Sequence, residues 1–179
     1  MAMEKAERKG SEGVPHIEGI QKKYEQVPRI DGVQVKQLVM HCDERGGLKE
    51  ILRSDEPIFQ KFGQAYVSIT YPGVVKAWHY HKKQTDYLTV IKGACKETLY
   101  DDREGSPTKG VINEFFLNEH NPILITIPPG VWHGQKPYGP EPCYLINLVT
   151  EVFNREEPDE YRIDPFDNDI PYDWGLKQE

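Results

Sequence analysis

The chain has 179 residues, 37 % of them hydrophobic and 28 % charged, which suits a single globular domain with a real core. Its formal net charge of −7 excludes the basic surface that binding to nucleic acid or to an anionic membrane requires. No apolar run approaches the ~20 residues of a membrane-spanning helix, and from the polar N-terminus MAMEKAERKGSEG we do not expect a secretory signal. Cys42, Cys95 and Cys143 form no CxxC pair, so we expect thiols in a reducing cytoplasm.

In chain order, residues 1–25 form a polar tail for which we expect little fixed structure, and the body of the domain follows over residues 26–153. Short apolar or alternating runs bounded by Gly, Pro and Asp predict strands at 33–40, 65–71, 74–80, 87–91, 95–100, 112–117, 123–127, 131–135 and 144–149. Their spacing of roughly ten residues is typical of an all-β sandwich or barrel.

The C-terminal residues 154–179 are acidic and rich in proline. A charge run alone predicts a solvated tail, but this one also carries large apolar and aromatic side chains at Tyr161, Ile163, Phe166, Ile170, Tyr172 and Trp174. We therefore expect the segment to pack on the barrel, where it could bring carboxylates to a site.

The stretch WHYHKKQTD, residues 78–86, contains two histidines one residue apart. On a strand, His79 and His81 point to the same face, together with Val75 and Ala77, and they are predicted to look into the mouth of the barrel. Buried imidazoles need polar partners. Two on one otherwise apolar face therefore indicate a functional site more than a single structural histidine would.

The wider spacing resembles the two motifs of the cupin superfamily of small jelly-roll barrels. Gly73 and Gly93 bracket His79-Tyr80-His81 and Asp86 at the spacing of the first motif, with aspartate in place of the usual glutamate. Residues 128–133, PPGVWH, match the second motif, although Pro122 and Pro137 replace its leading Gly and trailing Asn. The resemblance implies an all-β cupin jelly roll with short helical or irregular N- and C-terminal additions.

In metal-binding cupins, the two motifs supply three histidines and a carboxylate to one ion. The matching set in this chain is His79, His81, Asp86 and His133. Imidazole and carboxylate ligands suit a transition metal such as Zn, Fe, Mn or Ni. A metal-dependent cupin enzyme is therefore one hypothesis.

A more extensive resemblance covers residues 32–174. The stretches 43–46, 100–108, 127–134 and 167–174, in this order around a histidine strand, are similar to the dTDP-4-dehydrorhamnose 3,5-epimerase family. The resemblance implies a metal-free homodimer of jelly rolls, in polysaccharide or secondary-metabolite biosynthesis, that binds a nucleotide-linked 4-keto-6-deoxy sugar. A histidine oriented by an aspartate removes a proton next to the C4 carbonyl, a tyrosine on the opposite face returns one, and the C4 enolate oxygen needs a cationic or hydrogen-bonding partner.

Carried over by position, the resemblance makes His79 the catalytic base and Asp167 its orienting carboxylate. It places Arg45 against the diphosphate, where bidentate guanidinium–phosphate bonding is a physical reason for an arginine. Strict pleating puts Lys76 and His79 on opposite faces, so both can serve only if the strand bulges there or if Lys76 lies at a dimer edge. The further substrate-binding positions are Glu50, Gln64, Lys76 (where the family has an arginine) and His133.

The chain also departs from the family at three site positions. Phe153 replaces the tyrosine, His81 a glutamine, and Asp86 a lysine near the C4 oxygen. The residues considered as substitute acid are Tyr144, Tyr66 and His81, with Tyr144 also placed among the substrate contacts.

Two alternatives to the epimerase remain open besides the metal-dependent enzyme. The stretch His79-Tyr80-His81-Lys82 resembles the sugar 3,4-ketoisomerases, in which histidine shuttles protons. A non-catalytic cupin that binds sugar or forms a structural dimer is the other alternative.

Overall fold

The computed structural model describes residues 27–175, so the expected tail at 1–25 and the last residues, 176–179, lie outside it. Its elements are all strands: β1 (Gln34–Gln37), β2 (Met40–Asp43), β3 (Gly46–Lys49), β4 (Gln64–Thr70), β5 (Lys76–Tyr80), β6 (Asp86–Lys92), β7 (Ala94–Tyr100), β8 (Ile112–Asn118), β9 (Ile123–Ile127), β10 (Trp132–Pro137), β11 (Cys143–Val149) and β12 (Tyr161–Arg162). Over this range no helix has the length and apolar character that crossing a membrane would require.

The strands form two five-stranded antiparallel sheets that pack face to face. The first sheet has the order β1-β9-β6-β11-β4 and the second has the order β12-β5-β10-β7-β8. The main core lies between them, where Val90 and Leu145 of the first sheet and Leu99 and Leu117 of the second are at most 2 % exposed. The all-β fold predicted from the sequence is confirmed.

All the predicted runs contain strands, but the structure adds three more. The run 33–40 ends as a strand at Gln37, and β2 and β3 then form a separate hairpin. Both of its strands are almost wholly exposed, so they lack the apolar alternation by which a half-buried strand is recognised. The short strand β12 lies in the acidic C-terminal segment.

The C-terminal segment lies against the second sheet. Trp174, 2 % exposed, packs at 5.0 Å between ring centroids on the fully buried Trp78 of β5. Tyr172 contacts both tryptophans edge-on and donates its hydroxyl to Glu114 Oε1 at 2.6 Å. An aromatic cluster, rather than the segment's charge, attaches it to the body.

Candidate active site

Two adjacent cavities lie around the histidine strand. The sandwich cavity, of about 400 Å³, lies between the sheets and is lined by His79, His133 and Asn147, among others. The loop cavity, of about 380 Å³, is lined by His81, the 83–84 loop, residues 151–154 and residues 157, 159 and 160, among others. Both cavities share Tyr66, Glu160 and Arg162 as lining residues, so the two cavities adjoin at these side chains.

A bulge in β5 brings two predicted site residues to the same cavity. His79 pairs with His133 of β10, but Lys76 pairs with Gln135, so β5 contains one residue more than β10 over this stretch. Lys76 and His79 consequently both line the sandwich cavity, which strict alternation would prevent. The Lys76 ammonium donates to Ser68 Oγ at 3.0 Å and to the Ile69 carbonyl at 2.6 Å.

Three histidines cluster at this point of the fold. The ring centroids of His79 and His133 are 4.1 Å apart, and that of His81 lies 5.7 Å from each. One ring nitrogen of each histidine lies within 4.8 Å of the others, a spacing that a metal ion could bridge. The pairing of strands β5 and β10 thus brings the histidines of the two cupin-like motifs together.

A buried carboxylate supports the cluster. Asp86, 1 % exposed, places Oδ2 3.3 Å from His133 Nε2 and 3.6 Å from His81 Nε2. Its Oδ1 accepts from Gln84 Nε2 at 2.7 Å and from Asn147 Nδ2 at 3.0 Å. Burial works to raise the pKa of Asp86, but hydrogen bonding and charge from His133 and His81 outweigh it, so the pKa lies below its usual value and the group is ionised.

The other ring nitrogens are held by backbone carbonyls. His133 Nδ1 donates to the Val131 carbonyl at 3.0 Å, and His81 Nδ1 donates to that of Asp159. The Asp159 carboxylate in turn accepts from the backbone N–H groups of residues 82, 83 and 84, at 2.9, 2.9 and 3.1 Å. Both histidines therefore direct Nε2 towards Asp86.

His79 is in a different environment. Burial, followed by the positive influence of His133, His81 and Arg162, holds the pKa of His79 well below 6.5. The ring is therefore neutral near pH 7, and a neutral imidazole has the free lone pair that proton abstraction requires.

The sequence predicted that Asp167 orients His79, but the structure does not bring these two residues together. Asp167 is exposed, its backbone N–H donates to Asp164 Oδ1 at 3.0 Å, and it lines neither cavity. The segment turns at Asp164, which faces Asp167 outward. The buried carboxylate among the histidines is Asp86 instead.

Three predicted substrate contacts also lie outside the two cavities. Arg45, at the tip of the β2–β3 hairpin, forms an ion pair of 2.5 Å with Asp43 and has a side chain 85 % exposed. Glu50 pairs with Arg53 at 3.3 Å. The Tyr144 ring lies 5.7 Å from the ammonium of Lys92, on a part of β11 that lines neither cavity.

Gln64 and Tyr66 do lie at the cavities. Gln64 Oε1 accepts from the backbone N–H of Phe153 at 2.9 Å, and both residues line the loop cavity. Tyr66 belongs to β4 of the first sheet and lines the same sandwich cavity as His79 of the second sheet, and its hydroxyl accepts from Asn147 Nδ2 at 3.0 Å. Partial burial and the charge of Asp86 raise the pKa of Tyr66 to about 12.

Several cavity residues escaped the sequence analysis, among them Glu97 and Arg162. Glu97 of β7 is 1 % exposed, and burial, then the charge of Asp86, raises its pKa well above 4.5. Its position between Cys95 and Leu99, both fully buried, was the available signal, since a carboxyl on an inward face needs a reason. Arg162 had no comparable signal because β12 has no apolar pattern.

Comparison with known proteins places the chain. Residues 41–161 match the family model described as the polysaccharide biosynthesis C-terminal domain. The chain belongs to this family. It is 45 % identical over 143 residues to the spore coat polysaccharide biosynthesis protein SpsL of Bacillus subtilis, covering 80 % of this chain and 95 % of SpsL. It is 46 % identical over 146 residues to the probable low-salt glycan biosynthesis epimerase Agl13 of Haloferax volcanii, covering 80 % of this chain and 93 % of Agl13.

Among solved structures, this chain is similar to a dTDP sugar isomerase from Desulfovibrio desulfuricans. The TM-score is 0.76 at 33 % sequence identity, covering 81 % of this chain and 92 % of the isomerase. These relationships confirm the predicted relation to the dTDP-4-dehydrorhamnose epimerases and the predicted enzyme class, a sugar epimerase.

Proposed function

We propose that the protein inverts a carbon next to the C4 carbonyl of a dTDP-linked 4-keto-6-deoxy sugar, with His79 as base and Tyr66 as acid. One observation carries the assignment of residues: His79 and Tyr66 enter the sandwich cavity from opposite sheets. Inversion requires a proton to leave one face of the sugar ring and another to arrive at the other face. Two groups on facing sheets meet that requirement.

In the first step, neutral His79 accepts the C–H proton and the electron pair moves into the C4 carbonyl, giving an enolate. The second imidazole of the strand, His81, does not point into the sandwich cavity but stays with Asp86 and Asp159. His81 and His133 therefore act as a polar frame for His79 and contribute to its low pKa.

In the second step, Tyr66 delivers its hydroxyl proton to the opposite face of the same carbon, and the enolate returns to the ketone. With a pKa raised to about 12, the Tyr66 hydroxyl stays protonated at neutral pH and has a proton to deliver. Asn147 donates to its oxygen and stabilises the phenolate that remains. Tyr66 thereby takes the role of the family's tyrosine, whose position in this chain is occupied by Phe153, on the neighbouring loop cavity, which has no hydroxyl proton to give.

The proposal also includes dTDP as the carrier of the sugar and a homodimer as the active form. The name of the Desulfovibrio relative, a dTDP sugar isomerase, supports dTDP as the carrier. Arg45 and Glu50 lie at and just beyond the exposed β2–β3 hairpin, away from this chain's cavities. They are best placed to contact substrate if the hairpin docks on a second copy, which makes the homodimer the form that would use them.

Solvent deuterium exchange tests the proposal. The protein is incubated with dTDP-4-keto-6-deoxyglucose in D₂O, and incorporation is followed by NMR in wild type and in His79→Gln. We expect exchange at C3, C5 or both, lost in the variant. Exchange at neither carbon would refute the epimerase, while a product with its carbonyl at C3 would instead establish the 3,4-ketoisomerase.

A metal-dependent enzyme is the second candidate, because the ligand atoms of His79, His81 and His133 lie within 4.8 Å of one another. The carbonyls of Val131 and Asp159 accept from the Nδ1 atoms of His133 and His81 and orient the two rings, as hydrogen-bond acceptors commonly do for the histidine ligands of metals. Elemental analysis of the untagged protein and of His81→Ala decides it. One transition ion per chain, lost in the variant, would replace the metal-free mechanism.

A further inference from the structure

We propose that Arg162 is a catalytic residue that binds the C4 oxygen of the substrate and stabilises the enolate formed when His79 removes the neighbouring proton. The inference deepens the proposed function and rests on it. An enolate oxygen requires a cation or hydrogen-bond donors, and Asp86, which stands near this point, supplies neither.

The pairing of β12 with β5 places Arg162 directly beside His79. The two residues are register partners. Trp78 and Ile163, one step along, exchange both backbone hydrogen bonds, at 3.3 and 3.1 Å. His79 and Arg162 are therefore the non-hydrogen-bonded pair, the type in which side chains of an antiparallel ladder come closest, with Cα atoms about 4.5 Å apart.

The opposite face of the ladder is fixed by aromatic contacts. Tyr161 stacks on Tyr80 at 5.0 Å with planes inclined by 24°, and the Lys82 ammonium lies 4.2 Å from the Tyr161 ring centroid. Because Tyr161 points to this outer face, Arg162 must point to the inner one. It accordingly lines both cavities.

Glu160 positions the guanidinium. Arg162 Nη2 donates to Glu160 Oε1 at 2.7 Å, and Glu160 lines the same two cavities. A guanidinium has five N–H donors in a rigid fork, so this bond leaves others for a ligand. The Arg162 side chain is 72 % exposed, so an incoming oxygen has access to it.

The position suits the C4 oxygen better than the diphosphate. The carbon that loses its proton is bonded to the carbonyl carbon, so a group bound beside the base meets the C4 oxygen, while the diphosphate on C1 lies across the ring. The lysine and the arginine that line the sandwich cavity are Lys76 and Arg162. The Lys76 ammonium is directed towards Ser68 and the Ile69 carbonyl, whereas Arg162 is the register partner of His79. The charge of Arg162 also reaches His79, whose pKa it helps burial to lower.

The experiment compares Arg162→Ala, Arg162→Lys and a control, Arg155→Ala, an exposed arginine that lines neither cavity. We measure kcat for deuterium exchange at saturating substrate, with and without added guanidinium chloride, and the Kd of dTDP by calorimetry. For Arg162→Ala we expect kcat to fall about 100- to 1,000-fold, the loss typical of an oxyanion donor. We expect the Kd of dTDP to change less than about twofold by the same reasoning, partial activity in Arg162→Lys, and partial rescue of Arg162→Ala by guanidinium.

Each other outcome counts against the inference. A weaker dTDP affinity with unchanged kcat would make Arg162 a diphosphate contact. Unchanged kcat and Kd, or an equal loss in Arg155→Ala, would remove it from the mechanism while leaving the epimerase intact. Absence of exchange in wild type would overturn the proposed function and this inference with it. Thermal melting of each variant separates these results from misfolding.

Discussion

Asp86 and His133 join the two sheets through their side chains: Asp86 is on β6 of the first sheet, His133 is on β10 of the second, and Oδ2 and Nε2 are 3.3 Å apart. Both residues are at most 3 % exposed. The contact that frames the candidate active site is thus also a contact across the core, and one substitution there tests both roles.

Asp86→Asn should cost both stability and activity. It removes the charged carboxylate that His81 and His133 face and that accepts hydrogen bonds from Gln84 and Asn147; a hydrogen bond to a charged group typically contributes about 1.5–3 kcal/mol. Urea denaturation and the exchange assay measure the two effects. The control is Asp102→Asn, at an exposed acid 3.8 Å from Lys109. Equal small losses in both variants would mean that Asp86 contributes little to stability or to activity.

Tyr66→Phe should uncouple exchange from inversion. Without the hydroxyl, His79 can still remove a proton and return a deuteron to the same face, so substrate should gain deuterium while net epimerisation falls strongly. NMR of the sugar in D₂O reports both quantities. Tyr144→Phe, at a residue outside the cavities, should change neither deuterium exchange nor epimerisation. Full epimerisation by Tyr66→Phe would eliminate Tyr66 as the acid.

The sequence was a good guide to the sandwich because its strands are half-buried and alternate. Leu145, Asn147 and Val149 of β11 are buried while the residues between them are less so, the period-2 pattern that predicts a strand. The β2–β3 hairpin and β12 were missed for the opposite reason. Their partners, not their own apolar pattern, make them strands.

The site was predicted in part. The resemblance to the two cupin motifs led to His79, His81, Asp86 and His133, and the structure brings these four side chains together. The Asp167 prediction followed the family resemblance, and a matching position does not determine which way a loop carboxylate points. Arg162 depends on the register of β12 against β5, a long-range pairing that the sequence does not encode locally.

Gly134 should prove necessary for the bulge that places Lys76 beside His79. A Cβ at Gly134 would lie 2.2 Å from Ala77 Cβ and 2.9 Å from the Lys76 carbonyl oxygen. Gly134→Ala should therefore push β5 away from β10, costing about 1–3 kcal/mol as other overpacked substitutions do, and should lower kcat because His79 moves. Thermal and urea unfolding measure the first effect, and the exchange assay the second.

Gly139→Ala is the matched control for that change, because the nearest atom to its new Cβ would be Ala94 Cβ at 3.6 Å, an ordinary contact. If the two alanine variants have equal stability and equal kcat, β5 tolerates displacement and the bulge is not what positions His79.

Another buried carboxylate, that of Asp101, predicts how stability depends on pH. Asp101 is fully buried and accepts hydrogen bonds from Arg103 Nε at 2.8 Å and from Ser106 Oγ and Thr108 Oγ1, both at 2.6 Å. Burial works to raise its pKa, but these donors outweigh burial and lower the pKa well below 3.8. The residues 100–108 that carried part of the family resemblance thus form a structural turn.

Because the folded-state pKa of Asp101 lies below the unfolded value of about 3.9, its contribution is complete above that value and is lost as pH falls towards the folded pKa. Asp101→Asn should therefore reduce the free energy of unfolding at pH 7 by about 1.5–3 kcal/mol, the range for hydrogen bonds to a charged group. The difference from wild type should shrink as pH falls from about 5 to 2. Urea titrations across that range measure it, with Asp102→Asn expected to follow wild type. A difference that stays constant with pH would show that the Asp101 turn is stabilised by packing rather than by its charge.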